Sequence, residues 1–187
     1  MRACEGGVME GKVLVAYATR YGSTGEVAGA VGKRLTEQGL AVDVKPVKET
    51  RSLNGYDAVV FGAPFYLGSM LKEGRKFLEQ QRAALEDRPI AIFALGPTSA
   101  DDDLAEASKQ LAKALGKMPW LKPVAAEMFV GKYDPAKLRL ADKVIAAPPA
   151  SPLHGLGAHD DRDWDAIGEW AEELEGLRNP GGTSVRR

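Results

Sequence analysis

A chain of 187 residues, 44% hydrophobic and 27% charged, is long enough for one substantial core and short for two, so a single domain is expected. Twenty-five basic against twenty-six acidic residues leave a formal net charge of −1, too balanced to advertise a general attraction to nucleic acid or to an anionic membrane. The one cysteine, Cys4, excludes an internal disulfide and a cysteine-built metal site, and no run approaches the ~20 apolar residues of a membrane-spanning helix.

Residues 1–10 read as a flexible extension with neither the basic start nor the apolar run of a signal peptide, so a cytoplasmic location is expected. Lys12 to Thr19 is a continuous apolar strand of the kind covered on both faces of a parallel sheet. Thr24 to Gln38 carries Val27, Val31 and Leu35 at helical spacing, with Gly39 as its stop. The alternation continues with Ala41 to Val47 and Tyr56 to Gly62 as strands, Met70 to Leu85 as helix and Ile90 to Leu95 as strand. Leu104 to Leu115 follows as helix, Val124 to Val130 as strand and Trp164 to Leu177 as helix. In that last helix Trp164, Ile167, Ala171 and Leu174 are expected to face the core. Five strands interleaved with helices predict an α/β, doubly wound parallel sheet with helices on both faces, spanning 11–178.

Two segments break the rhythm. Asp134-Pro135 can cap and open an inserted helix over Ala136 to Ala147, before the last helix. Pro148 to Asp161 holds five Pro and Gly breakers and is expected to be a long functional or mobile loop. Residues 179–187 read as a disordered tail. Charge is uneven: Lys109 to Lys143 has eight basic and three acidic residues, whereas Asp160 to Glu175 has eight acidic residues and only Arg162. His154 and His159 match no zinc spacing, and no metal site is expected.

In an open parallel sheet, ligands settle beyond the carboxyl ends of the strands. After the first strand, Thr19-Arg20-Tyr21-Gly22-Ser23-Thr24 leads directly into a helix, and its hydroxyls, backbone N–H groups and helix N-terminus suit a phosphate. The plainer reading is a capping turn with Ser23 or Thr24 as the cap. Neither a Walker motif nor a Gly-x-Gly-x-x-Gly turn is present.

The segment VLVAYATRYGSTGE, Val13 to Glu26, resembles the first strand and phosphate loop of the flavodoxin-like family. Gly62 and the following Ala63, Pro64, Phe65, Tyr66, Leu67 and Gly68, together with Leu95, Gly96, Pro97, Thr98 and Ser99, fall where that fold places its flavin-ring loops. The resemblance covers roughly Gly11 to Leu177. It implies FMN as cofactor, with Thr19 to Thr24 on the phosphate and the other two segments on the ring. Phe65 and Tyr66 can offer apolar surface to a flavin, and Gly68 admits backbone to its edge; the alternative makes Phe65 a core residue and Tyr66 a surface aromatic.

The third of these loops has no aromatic residue and the surface is not strongly acidic, which disfavours a simple electron shuttle. The Thr-Arg-x-Gly-x-Thr pattern, Tyr56 to Ala63 and the Asp163-Trp164 helix start resemble a narrower branch, the flavodoxin-like, quinone-dependent protoporphyrinogen dehydrogenases. That likeness implies an FMN-dependent oxidoreductase without a side-chain nucleophile, with a small-molecule electron donor and a quinone as partners. The alternative is an electron-transfer protein serving a redox protein partner. Lys132, Lys137, Arg139 and Lys143 of the insertion could meet a donor's carboxylates or a peripheral membrane surface; as an alternative, Leu138, Ala141 and Ile145 pack while the cations stay solvated.

Overall fold

The computed structural model describes residues 11–66, 68–96, 104–138, 140, 142–143, 147–148, 154–155, 157–174 and 177. Five parallel strands form the central sheet: β1 (Lys12–Tyr17), β2 (Ala41–Pro46), β3 (Ala58–Tyr66), β5 (Ile90–Leu95) and β6 (Ala125–Phe129), in the order β2-β1-β3-β5-β6. Order reverses between β1 and β3, so the ends of those two strands flank the switch point where such sheets bind ligands. The short strand β4 (Ser69–Met70) pairs antiparallel with the end of β3.

Alternate residues of each strand feed two cores. On one face Leu14, Val59, Phe61 and Ile92 pack beneath α2 (Lys72–Gln80), α3 (Arg82–Glu86) and α4 (Leu104–Gly116), through Phe77, Leu78, Leu85, Leu111 and Leu115. On the other, Val13, Val15, Val60 and Phe93 pack beneath α1 (Ser23–Glu37) and α5 (Trp164–Glu172), through Val27, Val31, Leu35, Ile167 and Trp170. Strand residues buried on both sides explain why β1, β3 and β5 read as unbroken apolar runs.

The expected helix from Met70 to Leu85 is two helices, because Gln81 leaves the helical region at φ −97°, ψ 10°. The third strand is longer than its apolar run suggested: Ala63–Tyr66 continues β3, Ala63 and Pro64 beside Ala94 and Leu95 of β5, then Phe65 and Tyr66 beside β4. Pro64 has no N–H to give to the ladder, but its carbonyl accepts from the Leu71 N–H at 3.1 Å. In the insertion, a 3-10 turn covers Pro135–Lys137, with the Asp134 side chain accepting from the Ala136 N–H, and Leu140, Asp142 and Lys143 are helical. The stretch expected to lack regular structure contains one strand, β8 (His159–Asp160), paired antiparallel with β7 (Lys132–Tyr133). Trp164 corrects another expectation: it is 45% exposed, and Trp170 is the aromatic that α5 buries. Position 164 is the first residue after the Asp163 cap, where the arginine at 162 draws its ring outward. The expected extension 1–10 and tail 179–187 lie outside the described residues.

Candidate functional site

The loop after β1 is shaped by glycine. Gly22 caps α1 at φ +95°, a conformation that a side chain disfavours, and its N–H donates to Thr19 Oγ1 at 2.9 Å. No side chain caps the helix, so neither Ser23 nor Thr24 plays the capping role considered for it. The amides of the first turn therefore receive no acceptor from the cap residue's side chain, and the helix N-terminus carries partial positive charge. Thr24 is fully buried and its Oγ1 has no hydrogen-bond partner; Arg20 Nε is likewise buried without one. Buried polar atoms are ordinarily paired, and leaving one unmade costs about 1–3 kcal/mol. Two of the three such atoms among the described residues fall on this one six-residue loop, the third, Gln38 Oε1, lying at the opposite end of α1, and both suit an anionic partner.

The other predicted segments converge on the same end of the sheet. Phe65 is 5% exposed and belongs to the core, whereas Tyr66 is 38% exposed and is the accessible ring of the pair. Although its ring is partly open, burial of the phenol, reinforced by the neighbouring Tyr21, pushes its pKa to about 12, so it stays protonated. Gly68 turns the chain back into β4 at φ +72°. Leu95 is buried, and Gly96 prolongs the ladder by donating to Phe129 O at 3.0 Å while sitting against Met128. Leu67, Pro97, Thr98 and Ser99 lie outside the described residues.

The insertion reaches this site, and that contact was not legible in the sequence. Asp142 accepts from Arg20 Nη2 at 2.8 Å and from the Tyr21 hydroxyl. A cavity of about 70 Å3 lies between Tyr21, Ser23 and Glu26 on one side, Tyr66 at its edge, and Lys132, Tyr133 and Lys137 on the other. Arg162 holds the arrangement together. Its guanidinium is buried, takes both oxygens of Asp160 at 2.6 Å, bonds Glu26 Oε2 at 2.6 Å and Ser23 O at 3.3 Å, and lies 4.5 Å from the Trp164 ring centroid. Lys132 adds a second cation to Asp160 at 3.3 Å. The only sequence signal was Arg162 standing alone in an acidic run.

These contacts give a pH signature. Hydrogen bonding from Arg162 lowers the Asp160 pKa to about 2, and hydrogen bonding from Tyr56 and Lys12 does the same for Asp43. A carboxylate that is more acidic folded than unfolded stabilises the fold above its unfolded value and loses that contribution as pH falls through the folded one. The stability difference between the parent and Arg162→Met is therefore expected to be full above the ordinary aspartate value of 3.8 and to shrink as pH falls toward 2. Urea melts of the two proteins across that range check it; a difference that stays constant would remove the ion-pair assignment.

A flavodoxin domain model matches residues 14–150, most of the chain and all three candidate loops. The chain belongs to the flavodoxin domain family. Its likeness to the protoporphyrinogen IX dehydrogenase [quinone] of Escherichia coli (strain K12) is 24% identity over 176 residues, covering 89% of this chain and 96% of that one. A NAD(P)H dehydrogenase (quinone) of Acidovorax ebreus is 33% identical over 109 residues, covering 44% and 54%. Among solved structures, the flavodoxin of Streptococcus pneumoniae TIGR4 superposes with a TM-score of 0.52 at 17% identity, covering 87% of this chain and 97% of that one, which shows the fold. FMN is the cofactor of flavodoxin domains, and the residues present fit it: the orphaned Thr24 hydroxyl and Arg20 Nε at a glycine-capped helix start would hold its phosphate, and Tyr66 shares a cavity with Tyr21 and Ser23 of that loop.

Proposed function

We propose that this flavodoxin-family protein is an FMN-dependent oxidoreductase that takes electrons from a reduced small molecule, of which a porphyrinogen is the leading example, and delivers them to a quinone. The observation that carries the reading is the pair of orphaned polar atoms in Thr19 to Thr24 at an uncapped helix start. The E. coli relative's name, over nearly full-length coverage, supports the choice of donor and acceptor. Bound there, FMN supplies the electron-accepting and electron-donating ring.

This chain's own residues bind and orient. Thr24, Arg20 and the amides of the first turn hold the phosphate, Gly22 keeps their path open, and the Tyr66 phenol remains a neutral hydrogen-bond donor. The β7–β8 pair and the turn that follows β7 bring Lys132, shared with Asp160, and Lys137 to the rim, where a donor's carboxylates can be met. Asp142 holds Arg20 and Tyr21 in place against this rim.

The test is a visible spectrum of purified protein with added FMN, then anaerobic turnover with protoporphyrinogen and a menaquinone analogue. Flavin binding with multiple turnovers is expected. A colourless protein that does not take up FMN would overturn the redox reading altogether. Flavin binding without turnover, but with electron exchange to a redox protein, would make it a carrier instead.

A further inference from the structure

On the far side of the β3–β4 hairpin, a groove of about 370 Å3 runs between α2 and α4. Its floor is apolar: Met70 and Met118 are 4% and 9% exposed. Its banks are basic, with Lys72, Arg75 and Lys76 on α2 and Lys117 just beyond α4, against one carboxylate among the described lining residues, Glu79. None of these four cations makes an ion pair among the described residues. Elsewhere on the surface, Lys33, Arg82 and Lys109 each meet a glutamate on their own helix. Glu79 stands four residues after Arg75 and three after Lys76, the spacing at which helical ion pairs close, yet neither closes on it.

We propose that this groove is a binding site for a small organic molecule with an apolar body and at least two carboxylates. The volume lies within the range of small-molecule pockets, and an apolar floor under a few polar groups is their usual composition. Cations on both banks can each take a carboxylate, Arg75 in the two-pronged manner of a guanidinium. Cations that line a cleft suit a molecule entering between two helices better than a flat lipid surface. Gly68 and Ser69, at the groove's end, belong to the hairpin that begins at Tyr66, so a molecule seated there lies beside the second candidate loop. Its nearness to a flavin rests on the FMN reading; the binding itself does not.

The probe is naphthalene dicarboxylate, titrated calorimetrically into the full chain with and without FMN, with its dimethyl ester as the uncharged control. The diacid is expected to saturate one site, and the diester to bind at least about ten-fold more weakly, as does the diacid to R75Q/K117Q. E79Q, which removes the one carboxylate, is expected to tighten diacid binding roughly two- to three-fold, a gain that misfolding cannot imitate. Equal affinities for diacid and diester, or undiminished diacid binding by R75Q/K117Q, would overturn the proposal. So would charge-dependent sedimentation with phosphatidylglycerol vesicles in the absence of diacid binding, which would mark a membrane-facing patch. FMN binding without diacid binding sinks this inference alone; diacid binding by a protein that never takes up FMN leaves the groove standing and removes the redox reading.

Discussion

Phe93→Ala is expected to lower stability by about 3–5 kcal/mol, the usual cost of emptying a fully buried phenylalanine site. The reason lies in what the ring touches. Phe93 is fully buried on β5, its centroid 6.0 Å from Trp170 and 6.5 Å from Phe129, and those two rings stand 5.7 Å apart at 81°. It also lies across its neighbour on β3, Gly62: a Cβ built there would come within 2.6 Å of both Cε atoms of the ring and nearer still to Cζ. Gly62 is thus glycine because an aromatic occupies the space a side chain would need. Gly62→Ala alone is expected to force that ring aside at about 1–3 kcal/mol. The double variant Gly62→Ala with Phe93→Leu should lose less than the two single losses added, because the smaller side chain yields room to the new methyl. Chemical denaturation of the four proteins measures the coupling; strict additivity would refute the overlap.

The second large effect is on cofactor affinity. Gly22→Val is expected to weaken FMN binding roughly ten- to a hundred-fold while leaving the fold intact. A built Cβ at Gly22 meets nothing within 4 Å, so there is no clash; the cost is the φ of +95°, which for a branched residue is on the order of 1–3 kcal/mol. The loop can escape that cost only by rotating its amides away from the phosphate. Thr24→Val separates binding from stability by sign. In the FMN-free protein it removes a buried hydroxyl that has no partner, so stability is expected to hold or rise. With FMN it removes a donor to a charged phosphate, and affinity is expected to fall by about ten-fold. Fluorescence titration of flavin beside thermal melts of the apoprotein reads both; a Thr24→Val protein that binds FMN as well as the parent would take the hydroxyl out of the site.

Much of this was legible because local pattern and fold agree. The apolar runs of β1, β3 and β5, the four-residue spacing of Val27, Val31 and Leu35, and the hydroxyl-and-glycine turn between them each point to the same layered sheet. What could not be read depended on partners far apart in sequence. Trp164 and Trp170 share a helix, and only the position of Phe93 and Phe129 decides which of them is buried. Gly62 to Gly68 reads as a loop, yet the strand runs on through Pro64 to Tyr66, held by β5 and β4 and by the Pro64 carbonyl's bond from Leu71. The strand at His159–Asp160 has no strand-like composition; it exists because Lys132–Tyr133 offers it a partner. Asp142 sits more than a hundred residues from Arg20 and Tyr21, and no periodicity reports such a contact.

The guanidinium at 162 has one further bearing, on how this chain can be shortened. Its burial is tolerated only because two carboxylates converge on it, Glu26 from across the fold and Asp160 from two residues away. A trimmed protein that excises 132–160 would strip Asp160 away and leave the cation with Glu26 alone, beside the loop after β1. Such a truncation is expected to melt at a higher temperature when it also carries Arg162→Leu than when the arginine is retained. The arginine and the segment it fastens are therefore a single unit of exchange in this chain.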